Sequence, residues 1–128
     1  MQKPRALLVD DEPAFLNVLV EWMTSWGYET VAVYNGADAV SAVENNNFDV
    51  IILDYIMPHM NGLIALEKIR KINPNVDVII LTAHPAQGSV ASAKKLNISA
   101  YVSKLDNIES VYNTLKSVLS IIGKRKST

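Results

Sequence analysis

Five polar side chains at the ends of short apolar runs could together bind and transfer a phosphoryl group. They are Asp10, Asp11, Asp54, Thr82 and Lys104. Two carboxylates about 4 Å apart repel by about 4 kcal/mol at an effective dielectric of about 20, so a cluster of carboxylates needs a cation. Mg²⁺ suits such a cluster, because it binds one or two carboxylates, several waters and a phosphate oxygen. A further carboxylate could then attack phosphorus and form an acyl phosphate.

Each residue type has a task in this chemistry. Asp54 is the expected nucleophile, and a metal held by Asp10 and Asp11 would neutralise two phosphoryl oxygens. Lys104 would contact another oxygen, and Thr82 would donate a hydrogen bond. Taken singly these residues are ordinary, because Asp11 and Thr82 are typical of helix caps or loops and Lys104 of a solvated surface. The prediction therefore depends on their convergence in one cleft.

The apolar runs that precede these residues predict the strands of a parallel sheet. Ala6–Val9, Val50–Leu53 and Val78–Leu81 are apolar at every position, which is typical of strands covered on both faces by helices. In such a sheet the carboxyl ends of the strands meet at one edge, where residues far apart in sequence form a ligand cleft. A fourth run, Ala100–Ser103, brings Lys104 to the same edge.

Strand and helix patterns alternate five times along the chain, which predicts an α/β fold with helices wound onto both faces of the sheet. The expected strands are residues 5–9, 28–33, 49–53, 76–81 and 99–103. The expected helices are one from Pro13 to Gly27, 37–44, 63–72, one that ends near Leu96, and a last one that Gly123 ends. One domain, residues 1–123, is then followed by a basic tail or the start of a linker, residues 124–128.

Composition and charge limit the classes of partner. A chain of 128 residues fits one domain, and the lack of cysteine excludes disulfides and thiolate chemistry. The formal net charge of −1 gives no general attraction to nucleic acid or to an anionic membrane, so neither is an expected partner. The sequence has no export signal at its start and no stretch of about 20 apolar residues, so a cytoplasmic location is expected.

Four segments together resemble the receiver domain of two-component response regulators. They are Leu7–Glu12, Ile52–Gly62, Ile80–Ala83 and Ala100–Lys104. The resemblance covers nearly the whole chain, so it identifies the predicted domain of residues 1–123 as a receiver domain. It implies a flavodoxin-like three-layer sandwich whose doubly wound, five-stranded parallel sheet has the order 2-1-3-4-5.

The resemblance also implies a role for each site residue. Asp54 is the phosphoacceptor, while Thr82 and Lys104 bind the phosphoryl group. Thr82 also forms a switch with Tyr101, which occupies the family's aromatic switch position. The implied ligands of Mg²⁺ are Asp10, Asp11, Asp54 and the backbone carbonyl of Ile56.

The implied function is a phosphorylation-dependent signalling switch rather than an enzyme, since the domain catalyses only its own phosphoryl transfer and dephosphorylation. A sensor histidine kinase or a phosphotransfer protein donates the phosphoryl group. A downstream effector or a fused output domain binds the face around Tyr101. A homodimer that forms on phosphorylation is a further implied partner.

The sequence departs from the family pattern at two places. Leu105 follows Lys104 where the family usually has a proline after a cis peptide bond, and a trans bond is expected here because a non-proline cis bond costs about 3 kcal/mol. Asn97 and Ile98 replace the usual Gly-Ala before the last strand. Asparagine tolerates the left-handed conformation, so this turn is expected to be retained.

Three other functions remain open at this point. A receiver-like interaction module that is never phosphorylated is suggested by Leu105. An Asp-nucleophile phosphatase of the haloacid dehalogenase kind would need Asp-x-Asp after the first strand, whereas the isolated Asp54 follows the third. A nucleotide- or flavin-binding module would need a glycine-rich turn after the first strand, and that turn is acidic here.

Overall fold

The computed structural model describes residues 3–55, 62–83, 95–104 and 107–127. Strands and helices alternate through this part of the chain. They are β1 (Arg5–Val9), α1 (Pro13–Ser25), β2 (Glu29–Val33), α2 (Gly36–Asn45), β3 (Val50–Leu53), α3 (Gly62–Ile72), β4 (Asp77–Thr82), β5 (Ala100–Ser103) and α4 (Ile108–Ser127). Every strand bound lies within one residue of its predicted position. The helix expected to end near Leu96 falls mostly outside the described residues.

All five strands are parallel and form one sheet in the order β2-β1-β3-β4-β5. This is the order that the family resemblance implies. In the centre of the sheet, Leu8 of β1 pairs with Ile52 of β3, and Ile52 pairs with Ile79 of β4. Because the strands run in the same direction, their carboxyl ends lie along a single edge.

Helices cover both faces of the sheet, so the predicted three-layer sandwich is confirmed. Successive strand side chains point to opposite faces. Leu7 and Ile51 pack in a cluster with buried side chains of α2 and α3, whereas Leu8 and Ile52 pack with buried side chains of α1 and α4. Burial of each such side chain stabilises the fold by about 1.5–3 kcal/mol. The strands that end at the site are therefore fixed from both sides.

The connection from β1 to α1 is short. Pro13 occupies the first turn of α1, where its fixed φ suits a helix start, and Gly27 follows the helix with a φ of 92°. Only residues 10–12, all acidic, lie between β1 and α1. The acidic segment is thus held between two regular elements.

The chain before β5 is held in place by Arg70 of α3. Its guanidinium donates hydrogen bonds to the carbonyl oxygens of Leu96 at 2.8 Å, Asn97 at 3.0 Å and Val76 at 2.6 Å. Asn97 has a φ of 62°, which confirms that asparagine here takes the left-handed conformation. These contacts fix the start of the strand that carries Lys104.

The prediction that Gly123 ends the last helix is wrong, since α4 continues to Ser127. Gly123 is followed by Lys124, Arg125 and Lys126, all good helix formers. Arg125 also pairs with the carboxylate of Asp77 at the start of β4, which holds the last turns of α4 against the sheet. The predicted tail is therefore helical up to Ser127, and the domain boundary at residue 123 stays a prediction.

Among the described residues, none of the helices has the length and apolar character needed to cross a membrane.

Candidate functional site

Backbone hydrogen bonds continue one residue beyond β1 and β3 and fix two aspartates side by side. The N–H of Asp10 donates to the carbonyl of Val33 at 3.2 Å, and the N–H of Asp54 donates to the carbonyl of Val9 at 2.9 Å. Both carboxylates are buried, with residue exposures of 1% for Asp10 and 5% for Asp54. The structure thus places two acidic side chains in the interior at the carboxyl edge of the sheet.

Lys104 reaches this edge from β5. The backbone N–H of Lys104 donates to the backbone carbonyl of Thr82 at 2.8 Å, so the hydrogen bonding between β5 and β4 continues as far as Lys104. Thr82 itself is the last residue of β4 rather than the first residue after it, and it is fully buried. The predicted hydroxyl and lysine therefore occupy neighbouring positions on adjacent strands.

The Lys104 ammonium lies among three carboxylates. Its Nζ is 2.9 Å from Oδ2 of Asp10, 2.8 Å from Oε1 of Glu12 and 3.6 Å from Oδ2 of Asp54. The Lys104 side chain is only 5% exposed, whereas that of Glu12 is 62% exposed. The convergence of Asp10, Asp54 and Lys104 in one cleft, which the sequence predicts, is thus present in the structure.

Burial perturbs the ionisation of the central pair. It raises the pKa of Asp10, although a hydrogen bond from the Glu12 N–H at 2.9 Å and the contact with Lys104 act in the opposite direction. Burial alone would lower the pKa of Lys104, but hydrogen bonds to Glu12 and Asp10 and the charge of Asp54 outweigh it and raise that pKa. Lys104 therefore stays an ammonium at neutral pH.

Asp11 lies beside Asp10 and Glu12. One carboxylate oxygen from each of Asp10, Asp11 and Glu12 lies within 4.8 Å of the others. A set of carboxylate oxygens at this spacing fits a hard cation such as Mg²⁺. Ile56, the fourth ligand implied by the resemblance, lies outside the described residues, as does Leu105.

Tyr101 lies on β5, three residues before Lys104. Its ring packs against the core cluster of α2 and α3, and its centroid is 6.3 Å from that of Tyr55 in an edge-to-face arrangement. Its hydroxyl is buried and has no hydrogen-bond partner among the described residues. Tyr55 directly follows Asp54, so the predicted phosphoacceptor is adjacent in sequence to the ring that packs against Tyr101.

Gly62 lies against the backbone of Tyr55, the residue that follows Asp54. Its N–H donates to the Tyr55 carbonyl at 2.6 Å, and a Cβ on Gly62 would lie 2.5 Å from the Tyr55 Cα. Only glycine allows this approach. Gly62 ends one of the segments that resemble the family, and the close contact explains why glycine is needed there.

Phe15 is a site residue that sequence reasoning missed. Its ring centroid lies 4.5 Å from the Lys104 Nζ. The helical spacing of apolar residues in α1 assigns Phe15 to packing, and the ring does pack against the core cluster of α1 and α4. The one available signal is that Phe15 stands two residues after Pro13, in the first turn of the helix next to the acidic segment.

Fold and cleft together define a doubly wound α/β domain with buried carboxylates and a lysine at the carboxyl edge of its sheet. The family model of the response regulator receiver domain matches residues 6–116. The chain therefore belongs to the receiver domain family of two-component signalling proteins.

Individual relatives agree with this assignment. The transcriptional regulatory protein ZraR of Salmonella typhimurium is 29% identical over 114 residues, which are 89% of this chain and 26% of that protein. The chain thus spans about a quarter of that relative's length. A CheY-like receiver domain protein from Methanospirillum hungatei superposes with a TM-score of 0.86 at 25% identity, covering 97% of this chain and 99% of the other.

A third relative was solved with ligands. The response regulator TrrA of Thermotoga maritima, in complex with Mg²⁺ and BeF, has a TM-score of 0.77 and 33% identity, covering 90% of this chain and 98% of that one.

Proposed function

We propose that this chain is a phosphorylation-dependent switch that accepts a phosphoryl group on Asp54 from a sensor histidine kinase or a phosphotransfer protein. The position of the Lys104 ammonium supports this most strongly, because it lies 2.9 Å from the carboxylate of Asp10 and 3.6 Å from that of Asp54. A phosphoryl group on Asp54 would need positive charge at this place.

The charges in the cleft support a metal requirement. Three carboxylates, those of Asp10, Glu12 and Asp54, surround the Lys104 ammonium, and that of Asp11 lies beside Asp10 and Glu12. This excess of negative charge opposes the approach of a phosphoryl donor. We assign Asp10, Asp11, Asp54 and the backbone carbonyl of Ile56 as ligands of Mg²⁺. When bound, Mg²⁺ supplies the positive charge that neutralises phosphoryl oxygens.

In the proposed transfer, a carboxylate oxygen of Asp54 forms a bond to phosphorus as the bond between phosphorus and the histidine nitrogen of the donor breaks. The imidazole leaves with the electron pair and takes a proton from water. Lys104 exchanges its contact with Glu12 for a phosphoryl oxygen, and Thr82 donates a hydrogen bond to another. Attack by water on phosphorus later releases inorganic phosphate and restores the carboxylate, so the domain catalyses only its own modification and its reversal.

The proposed output passes through Thr82 and Tyr101. The phosphoryl group on Asp54 carries about −1.5 to −2 charge. The Thr82 hydroxyl moves toward it, and Tyr101 turns into the space that this movement opens. The Tyr101 hydroxyl is buried without a partner among the described residues, which costs about 1–3 kcal/mol and favours a move of the side chain to a position where the hydroxyl is satisfied. A downstream effector, a fused output domain or a second copy of the chain then binds the changed face.

We place this switch in the cytoplasm, since a sequence without cysteine agrees with a reducing compartment.

Acetyl phosphate labelling tests the proposal directly. Mass spectrometry after treatment with and without Mg²⁺ should show one base-labile phosphoryl group, only with Mg²⁺, on the peptide that contains Asp54. Asp54→Asn should abolish the label, whereas Asp38→Asn, which changes an exposed aspartate in the first turn of α2, should leave it unchanged. An undiminished label in Asp54→Asn would refute the assignment of the phosphoacceptor.

A further inference from the structure

We propose that Phe15 is a positioning residue for Lys104. Its ring holds the ammonium over the cleft through a cation–π contact while the ammonium exchanges one anionic partner for another. This inference rests on the proposed function, because the exchange takes place when Asp54 is phosphorylated.

The geometry suits a cation–π contact. The Lys104 Nζ lies 4.5 Å from the ring centroid of Phe15, inside the distance of about 6 Å within which such contacts are significant. The Lys104 side chain is only 5% exposed, so water screens the contact weakly. The ring is itself fixed, since it sits in the first turn of α1 after Pro13 and packs against the core cluster of α1 and α4.

The carboxylates around the ammonium compete with one another. Glu12 is the most exposed of them and lies at 2.8 Å, while Asp54 is buried and more distant at 3.6 Å. The Lys104 ammonium is therefore shared between the exposed Glu12 and the buried Asp10, and its contact with Asp54 is the longest of the three.

The ring contact differs from the carboxylate contacts in one respect. Phosphorylation changes the charge at Asp54, and an incoming phosphoryl oxygen replaces the contact with Glu12. The quadrupole of the Phe15 ring stays the same in both states. The ring thus keeps the ammonium within reach of Asp54 when Glu12 releases it.

Stepwise fluorination of Phe15 tests this role, because fluorine weakens the ring quadrupole with little change in ring size. The protein is made with phenylalanine carrying one, two or three ring fluorines at position 15, and the rate of Asp54 phosphorylation by acetyl phosphate with Mg²⁺ is measured. The rate should fall with each fluorine, by about 3- to 10-fold over the series. Phe15→Tyr, which keeps the ring, should retain the rate within about 2-fold. Phe15→Leu, which has no ring, should lower the rate by as much as the ring with three fluorines does.

Two controls separate positioning from packing. In a Lys104→Met background, fluorination of Phe15 should leave the residual rate unchanged, since no ammonium remains for the ring to hold. Tyr112 carries a similar contact, with the Lys116 Nζ 5.8 Å from its ring, but far from the cleft on α4. The same fluorinated phenylalanines at position 112 should have no effect on the rate.

The outcomes are distinguishable. If the unsubstituted protein takes no phosphoryl group, the proposed function is refuted and the positioning role falls with it. If it is phosphorylated but the rate is equal across the fluorinated series, or falls equally with and without the lysine, only the positioning role is overturned. Should Phe15→Leu fail to fold, the fluorinated series and Phe15→Tyr still decide the question.

Discussion

Replacing Lys104 with methionine removes the ammonium from the cleft while keeping a side chain of similar length. Two buried carboxylates, Asp10 and Asp54, then lose the cation that lies between them. At an effective dielectric of about 20, an ion pair at the 2.9 Å separation of Lys104 and Asp10 has a gross attraction of about 6 kcal/mol. Desolvation of the charges offsets much of this, and loss of one partner from a buried pair typically costs about 3–5 kcal/mol.

Two features reduce the expected cost below that range. Glu12 is 62% exposed, so its contact with Lys104 contributes only about 0–1 kcal/mol. The pKa of Asp10 is already raised by burial, so a proton compensates for the lost ammonium at a moderate pH. We therefore expect Lys104→Met to lower the free energy of unfolding by about 2–3 kcal/mol near neutral pH.

The pH dependence of this loss has a definite sign. The pKa of Lys104 is raised above 10.5, so its stabilising contribution is fully present below pH 10.5 and is lost only as the pH rises through the folded-state value. In acid, the carboxylate of Asp10, whose pKa is raised by burial, becomes protonated and no longer needs the cation. The difference between the variant and the unsubstituted protein should therefore shrink as the pH falls toward about 4.

Urea unfolding measures this difference. Trp22 and Trp26 pack against the core cluster of α1 and α4, so their fluorescence reports the loss of the fold. Measurements at about pH 7 and about pH 4.5, without divalent cations, give the two free energies. Lys116→Met, which removes an exposed lysine of α4, serves as the control. A loss in Lys104→Met no larger than in Lys116→Met, or one that does not shrink in acid, would refute the reasoning.

Three further changes test other parts of the site by the same unfolding assay. Asp10→Asn should stabilise the protein at neutral pH, by about 1.4 kcal/mol for each unit by which the folded-state pKa of Asp10 exceeds its unfolded-state value. A raised acid pKa means that stability is lost as the pH rises through it, so a less stable variant would contradict this. Gly62→Ala should lower the free energy of unfolding by about 1–3 kcal/mol, because the new Cβ would lie 2.5 Å from the Tyr55 Cα. Gly123→Ala is the control: a Cβ there has no atom within 4 Å, and alanine should stabilise α4 by about 0.5–1 kcal/mol. Equal effects of the two substitutions would argue against the close approach at Gly62. Tyr101→Phe should stabilise the protein by about 1 kcal/mol, because it removes a buried hydroxyl that has no hydrogen-bond partner in the part of the chain that the structure describes. A destabilised variant would show that the hydroxyl is satisfied.

Most of the architecture was accessible from local patterns. Runs that are apolar at every position predict strands covered on both faces, and the structure places Leu7 and Leu8, neighbours in one such run, in opposite core clusters. The strand order was accessible only through the family resemblance, since no local pattern says which strands are neighbours. The prediction that Gly123 ends the last helix was wrong because a glycine can lie inside a helix when the residues that follow it are held in place. Here the ion pair between Arg125 and Asp77 holds the turn that follows Gly123.

The convergence of the site residues was predictable, but their pairing was not. Parallel strands must bring Asp10, Asp54 and Lys104 to one edge whatever their side-chain conformations are. Which carboxylate the ammonium contacts most closely depends on rotamers and on the path of the lysine side chain, and these are not encoded in residue spacing. The contacts of the Lys104 ammonium with Glu12 and with the Phe15 ring depend on such side-chain conformations, so the sequence did not predict them.

The buried charges of the cleft lower the free energy of unfolding, and a domain with a purely structural role would not need them. Burial raises the pKa of Asp10, which means that folding destabilises its ionised form, and the only cation found against it among the described residues is Lys104. Apolar residues of similar size at these positions would stabilise the fold more than the charged pair does. Strain of this kind is retained where function needs it. Mg²⁺ and the Lys104 ammonium would both reduce the repulsion between the carboxylates of the cleft. Mg²⁺ should therefore raise the free energy of unfolding more in Lys104→Met than in the unsubstituted protein. An equal increase in the two proteins would show that the metal and the lysine do not act on the same carboxylates.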